Sequence, residues 1–195
     1  MNIIQSPSKN FFGRNGHNPI MIVIHITDGY YPSDLEWLQG KDIRSQVSSS
    51  YYIAPNGDIH QLVQDDKSAW HAGVVVNPTA NLLKKEDGTI INPNFYSYGI
   101  EVSIKPSFKM RTDPKETEEQ FRSLRELVKY LCEKSSIPID RSHIVGHHEI
   151  RDDKICPFPL NIDKFVEELN SVPPAPEMVV KEEFKNKIID FIKSL

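Results

Sequence analysis

Cysteine is scarce in this chain of 195 residues: there are two, Cys132 and Cys156. A chain of this size with so few thiols is not a disulfide scaffold, and each cysteine needs its own account. Long apolar runs are missing too, and nothing approaches the ~20 residues a membrane-spanning helix requires. Charge of one sign is not concentrated anywhere: 23 Lys and Arg stand against 27 Asp and Glu, a net charge of −4. Without a basic arm or patch, nucleic acid is not expected as the main partner. The opening residues, MNIIQSPSKNFFGRNGHNP, lack the basic start, apolar run and small-residue cleavage site of a secretory signal. The expectation is synthesis in the cytoplasm. What is present, 38% hydrophobic and 26% charged residues, suits one packed domain with room for a small appendage.

Ile20 to Thr27 is apolar and β-branched almost throughout and reads as a buried strand, closed by Asp28-Gly29. Ser33 to Leu38 reads as a short helical turn with Ser33 as N-cap. Val47 to Ile53 is a second strand, and Asn56-Gly57 turns it into a hairpin with Ile59 to Val63. A long polar segment, Asn77 to Asn94, precedes a strand over Ser97 to Ile104; a connection of that length is usually functional or mobile. Thr117 to Ser135 is the clearest helix. It carries Phe121, Leu124, Val128, Leu131 and Cys132 on one face, and Thr117 with Gln120 fits a capping box. Ile144 to Ile150 returns to strand character, and Asn161 to Leu169 is helical with Ile162, Phe165, Val166 and Leu169 inward. Strands alternating with helices predict an α/β fold, a sheet with helices against it. The domain is expected over residues 1–170, with a Pro-rich linker at 171–176 and an amphipathic terminal helix at 177–195.

Reactive side chains crowd into Gly146 to Pro159, GHHEIRDDKICPFP. In an extended strand His147 and Glu149 share one face and His148 takes the other, so the two histidines should not bind one ion together. Pro157 holds Cys156 out of a helix. His25 shares a face with Val23 and Thr27; taken alone, it is more often a hydrogen-bonded core residue than a ligand. Two histidines and one thiolate match the three protein ligands of a catalytic zinc site, but no CxxC pair or HExxH helix is present and the spacing alone leaves metal binding open. Lys154 is either a solvated lysine or a cation for a developing oxyanion. Glu101 is an acid in an apolar strand, either exposed on one sheet face or placed to take a proton. His71, between Trp70 and small residues, suits close ligand approach, with a surface loop as the plainer alternative. Cys132 is core, and Asp152 and Asp153 are solvated charges.

Taken in order, these motifs are Ile24-His25-Ile26-Thr27, Val47-Ser48 with Asn56-Gly57 and Gln61-Leu62-Val63, and Ala69-Trp70-His71-Ala72-Gly73. Gly99-Ile100-Glu101, Gly146-His147-His148-Glu149-Ile150 and Lys154-Ile155-Cys156-Pro157 follow. The sequence resembles the Amidase_2 family of zinc-dependent N-acetylmuramoyl-L-alanine amidases, which share a fold with the peptidoglycan recognition proteins and the phage lysozyme-amidases. The likeness runs from Met21 to Leu169. It implies a central mixed sheet flanked by helices, with Zn2+ held by His25, His147 and Cys156. It implies Glu101 as general base, Lys154 at the oxyanion, and a substrate groove that takes in His71, Trp70 and Asn94. A tyrosine that some members carry before the hairpin turn is replaced by Ser49, with Tyr51 and Tyr52 off register, and a histidine common there is replaced by Ser50.

The implied reaction is hydrolysis of the amide between N-acetylmuramic acid and the L-alanine of the stem peptide. A phage or prophage endolysin is expected, acting on peptidoglycan after release through holin pores. A cytosolic amidase that recycles small muropeptides and a non-catalytic peptidoglycan receptor are the alternatives. The terminal helix could serve wall binding, self-association or packing on the domain.

Overall fold

The computed structural model describes residues 1–104 and 114–171. The linker expected at 171–176, Ser171 apart, and the terminal helix at 177–195 lie outside them. Ten short strands occur among the described residues: β1 (Ile3–Gln5), β2 (Phe11–Gly13), β3 (Met21–Ile26), β4 (Tyr51–Ile53), β5 (Ile59–Gln61), β6 (Lys67–Ala69), β7 (Lys85–Glu86), β8 (Thr89–Ile90), β9 (Ser97–Val102) and β10 (Ile144–Gly146). Three α-helices accompany them: α1 (Ser33–Leu38), α2 (Pro114–Ser135) and α3 (Ile162–Ser171). Six strands form one mixed sheet in the order β1-β5-β4-β9-β3-β10. Strands β4, β9, β3 and β10 run parallel, and β5 returns antiparallel to β4. The expected α/β class and mixed central sheet are both present.

Strand β3 sits inside this sheet with every residue buried. A strand covered on both faces has no need of polar alternation, which explains its continuous apolar run. Ile22, Ile24 and Ile26 face the main core, which Leu124, Leu127, Val128 and Leu131 of α2 and Phe165 and Leu169 of α3 complete. Met21 and Val23 face the other way, against Val145, Ile150, Ala72 and Tyr96. His25 belongs by alternation to this second face. The expected long segment, Asn77 to Asn94, roofs it: Ala80, Leu83 and Ile91 pack there. That segment also holds the β7–β8 hairpin, turned at Asp87-Gly88 where both residues have positive φ.

Several expected boundaries move. The strand expected from Val47 begins only at Tyr51, because the preceding residues bond across the chain instead. Ser48 donates its hydroxyl to the Asn10 carbonyl and exchanges bonds with the Trp70 backbone. Helix α1 has Pro32 at its cap position, so Ser33 is its first residue. Helix α2 starts at Pro114, which puts Thr117 inside the first turn; proline is tolerated there because its missing N–H has no helical acceptor. The strand expected to continue to Ile150 stops at Gly146, and His147–Glu149 form a 3-10 turn. The Glu149 carboxylate accepts the Gly146 N–H at 2.7 Å and an Arg141 N–H at 2.9 Å, bending the chain back on itself.

Candidate active site

Parallel strands deliver their carboxyl ends to one edge of a sheet, where α/β proteins gather ligands. His25 is the fifth residue of β3, and the register sets Glu101 of β9 directly beside it. Strand β10 pairs Gly146 with Ile24, so its next residue, His147, arrives at the level of His25; the two rings lie 4.5 Å apart. Cys156 comes back to the same point because Gly146 carries no side chain. A Cβ at Gly146 would stand 2.6 Å from Cδ of Pro157. Cys156 Sγ then accepts the backbone N–H of Ile26 at 3.1 Å.

One donor atom each from His25, His147 and Cys156 fall within 4.8 Å of one another. Burial, reinforced by the neighbouring histidines, holds His25 well below the usual imidazole range. Burial likewise brings His147 down to about 4. Both rings are therefore neutral at pH 7, the ligating form. Burial, with Glu101 adding to it, pushes the Cys156 thiol up to about 12. A thiol so placed ionises when a cation joins it. Two neutral imidazoles and one such sulfur converging on a point are a donor set that fits zinc.

The Glu101 side chain is 16% exposed, with Oε1 4.0 Å from Nδ1 of His25. Its Oε2 is buried without a hydrogen-bond partner among the described residues. Burial, then the charge of Asp34, pushes its carboxyl up to about 8. Asp34 is the site residue that sequence reasoning missed. It is buried, and its carboxylate accepts from Tyr52 Oη, Thr27 Oγ1, Ser103 Oγ and the Leu35 N–H. Nothing in the local sequence marks it, since its three hydroxyl partners come from three other segments.

A cleft of about 700 Å³ opens over these groups. His25, Glu101, His147, Cys156 and Asp34 line it, together with exposed Lys154 and half-buried Trp70. Exposed Tyr30, Trp37, Ile155 and Phe158 also line it. His71 reaches the cleft but is buried, and both its ring nitrogens are taken by protein atoms: His25 Nε2 and Ser97 Oγ, each at 3.0 Å. The structure does not bring Asn94 to the cleft. It is buried beneath the Trp70–Ala72 segment, where Oδ1 accepts the N–H groups of His71 and Ala72. Its side-chain oxygen is spent on holding backbone, so the substrate contact expected of it is replaced by a bracing role.

Tyr51 and Tyr52 are buried away from the cleft and donate to Asp65 and Asp34. His148 is separated from His147 as expected, although by the 3-10 turn; its Nδ1 lies 3.1 Å from the Cys156 carbonyl. Cys132 is buried in the core. Asp152 and Asp153 are exposed and pair with Asn77 and Arg151.

Residues 15–159 match the family Amidase_2, described as N-acetylmuramoyl-L-alanine amidase. A comparison with curated proteins finds no match. Among solved structures, the chain is similar to a selenomethionine derivative of AmpD at 24% identity and a TM-score of 0.64, covering 86% of this chain and 93% of that one. It is similar to the catalytic domain of XlyA at 21% identity and 0.62, covering 87% and 99%. A third likeness is to the N-acetylmuramoyl-L-alanine amidase LysC from Clostridium intestinale URNW, at 19% identity and 0.61, covering 87% and 98%. At such identities these structures corroborate the fold, while the family match spans most of the chain: the protein belongs to the Amidase_2 family of N-acetylmuramoyl-L-alanine amidases.

Proposed function

We propose that the protein is a zinc-dependent hydrolase that cuts the amide between the lactyl group of N-acetylmuramic acid and the L-alanine of the stem peptide. Its substrate is polymeric peptidoglycan, in the manner of a phage or prophage endolysin. The observation that carries this reading is the convergence of the His25, His147 and Cys156 donor atoms within 4.8 Å at the base of an open cleft. A carboxyl group with one oxygen unpartnered among the described residues, Glu101, stands beside them.

His25, His147 and Cys156 would hold the zinc. Zinc supplies Lewis acidity there and makes water acidic enough to ionise near neutral pH. Glu101 accepts a proton from the attacking water; burial that raises its proton affinity suits it to a base working near pH 7. The water oxygen bonds to the lactyl carbonyl carbon, and Lys154 faces the oxygen on which negative charge develops. When the carbon–nitrogen bond breaks, Glu101 returns its proton to the departing L-alanine amine. Trp70 offers an apolar wall for the substrate, with Phe12 stacked behind it at 6.2 Å between ring centroids. The exposed aromatic residues of the cleft favour a polymer lying across it over a small muropeptide enclosed within it.

The test is digestion of purified peptidoglycan with and without a chelator, the new ends being identified by mass spectrometry. Free L-alanine amines that disappear with the chelator are expected; new reducing sugar ends would overturn the amidase reading. Intact sacculi assayed against soluble anhydro-muropeptides separate the lysin from a recycling enzyme, and faster turnover of the sacculi is expected.

A further inference from the structure

A chain of hydrogen bonds runs behind the metal-binding face, and its directions can be read from one end. The Ser97 hydroxyl lies 2.7 Å from the Pro93 carbonyl, which can only accept, so Ser97 spends its one hydrogen there. Ser97 Oγ therefore accepts from Nε2–H of His71 at 3.0 Å. A neutral imidazole carries one N–H, so Nδ1 of His71 is an acceptor, and its partner at 3.0 Å, Nε2 of His25, is the donor. The proton of His25 is thereby placed on Nε2, and Nδ1 keeps a free lone pair on the side facing Glu101, 4.0 Å away.

His147 is held in the same way by the neighbouring residue. Its Nε2 lies 3.2 Å from the Ala72 carbonyl, an acceptor only, so Nε2 carries the proton and Nδ1 is again free. Both acceptors thus come from two consecutive residues, His71 and Ala72. Two features hold that pair in place. Asn94 Oδ1 takes both of its backbone N–H groups, at 3.2 and 2.9 Å. Gly99 leaves room for the His71 ring, since a Cβ there would stand 2.3 Å from its Cγ.

We propose that His71 and Ala72 form an outer clamp that fixes both ligand histidines as Nε2–H tautomers, so that both present Nδ1 to the metal, with His71 a positioning residue rather than a substrate contact. With both ring nitrogens engaged, His71 has no polar atom left for a muropeptide. The clamp explains why Trp70-His71-Ala72, Asn94, Ser97 and Gly99 belong to one unit although a long segment separates the first three from the rest. It rests on the reading of His25 and His147 as zinc ligands.

The experiment has two arms. Long-range nitrogen–proton NMR of the zinc-free protein is expected to show His25, His71 and His147 all as Nε2–H tautomers, which requires no metal. Zinc affinity, measured by competition with a chromophoric chelator, is expected to fall about 10- to 100-fold in His71→Phe, the usual cost of losing an outer partner of a metal-bound histidine. His71→Asn, whose carbonyl oxygen can occupy the place of Nδ1, should restore affinity to within a few-fold of wild type. His71→Gln, whose polar atoms match the far side of the ring, should not. A wild-type His25 protonated at Nδ1, or equal zinc affinity in the Phe, Gln and wild-type proteins, overturns the clamp. A wild-type protein that takes up no zinc overturns the metal reading instead, and the NMR arm still decides the tautomers. If His71→Phe does not fold, the contrast between Asn and Gln carries the affinity arm.

Discussion

Glu101 and Asp34 are two carboxyl groups lining one cleft with different surroundings. All of Asp34's accepting capacity is used by three hydroxyls and an amide, whereas Glu101 Oε2 has no partner among the described residues. Of the two, only Glu101 has an oxygen left for the proton transfer proposed for it. Glu101→Gln should lower kcat by about 10²- to 10⁴-fold, the usual worth of a positioned base, while bound zinc measured by elemental analysis stays unchanged. Lys154→Ala should also lose turnover with zinc retained, and Cys156→Ser should lose the zinc itself. Asp34→Asn removes the negative charge that raises the proton affinity of Glu101. The acidic limb of its kcat/KM profile should therefore move to lower pH; an unmoved limb would mean that Asp34 does not act on the base. At this scale His25, His147 and Cys156 were legible as a set through the ordered family motifs, since their spacing alone leaves metal binding open, and Glu101 stood out as an acid in an apolar strand. Asp34 was hidden because a buried polar cage built from scattered hydroxyls has no sequence period. Asn94 was visible and misplaced, since an asparagine that grips backbone looks no different in sequence from one that grips substrate.

Elements were legible where burial imposes a period. The apolar stripe of α2 and the inward set of α3, Ile162, Phe165, Val166 and Leu169, lie as the spacing predicts. The end of β10 was not legible, because Ile144 to Ile150 has the composition of a continuing strand. The turn depends instead on one carboxylate: Glu149 takes the Gly146 N–H and is itself held by Arg141, which also reaches the Ile144 carbonyl and Asp163. This turn, rather than strand alternation, directs His147 toward His25. Removing the staple leaves a half-buried Arg141 with one fewer acceptor and frees the backbone N–H. Glu149→Ala should destabilise the fold by about 1–3 kcal/mol in urea unfolding and weaken zinc binding, although Glu149 is no ligand. Glu149→Gln, which keeps the acceptor for Gly146, should recover more of the affinity than of the stability. Equal zinc affinity in the alanine variant and wild type would remove the turn from the account of the site.

At the scale of the whole molecule, the site makes the metal-free protein sensitive to pH from both sides. His25, His71 and His147 are all held below the imidazole range, His71 at about 3 and His147 at about 4, with burial the leading cause in each. The folded state keeps them neutral, while the unfolded chain protonates them below about 6.5. Their contribution is present above that pH and is lost as the pH falls toward 4. Glu101 runs the other way: its carboxyl, pushed up to about 8, holds a proton in the folded state that the unfolded chain has given up above about 4.5. Its contribution is present below 4.5 and is lost as pH rises through 8. Between 6.5 and 8 Glu101 alone differs, so stability falls with rising pH. Between 4.5 and 6.5 these three histidines, joined by His60, which burial also holds below the imidazole range, outweigh one glutamate, so stability falls with falling pH. Urea unfolding in chelator across pH 4.5 to 8.5 should show a maximum near 6.5. Zinc held at the proposed site would bind the folded state alone and need neutral imidazoles and a thiolate, so it would stabilise more as protons become scarcer. Saturating zinc should therefore raise the whole curve and carry its maximum to higher pH. The same maximum with and without zinc would mean that the three histidines and Glu101 do not set the pH response, and the shared environment inferred for them would fall with it.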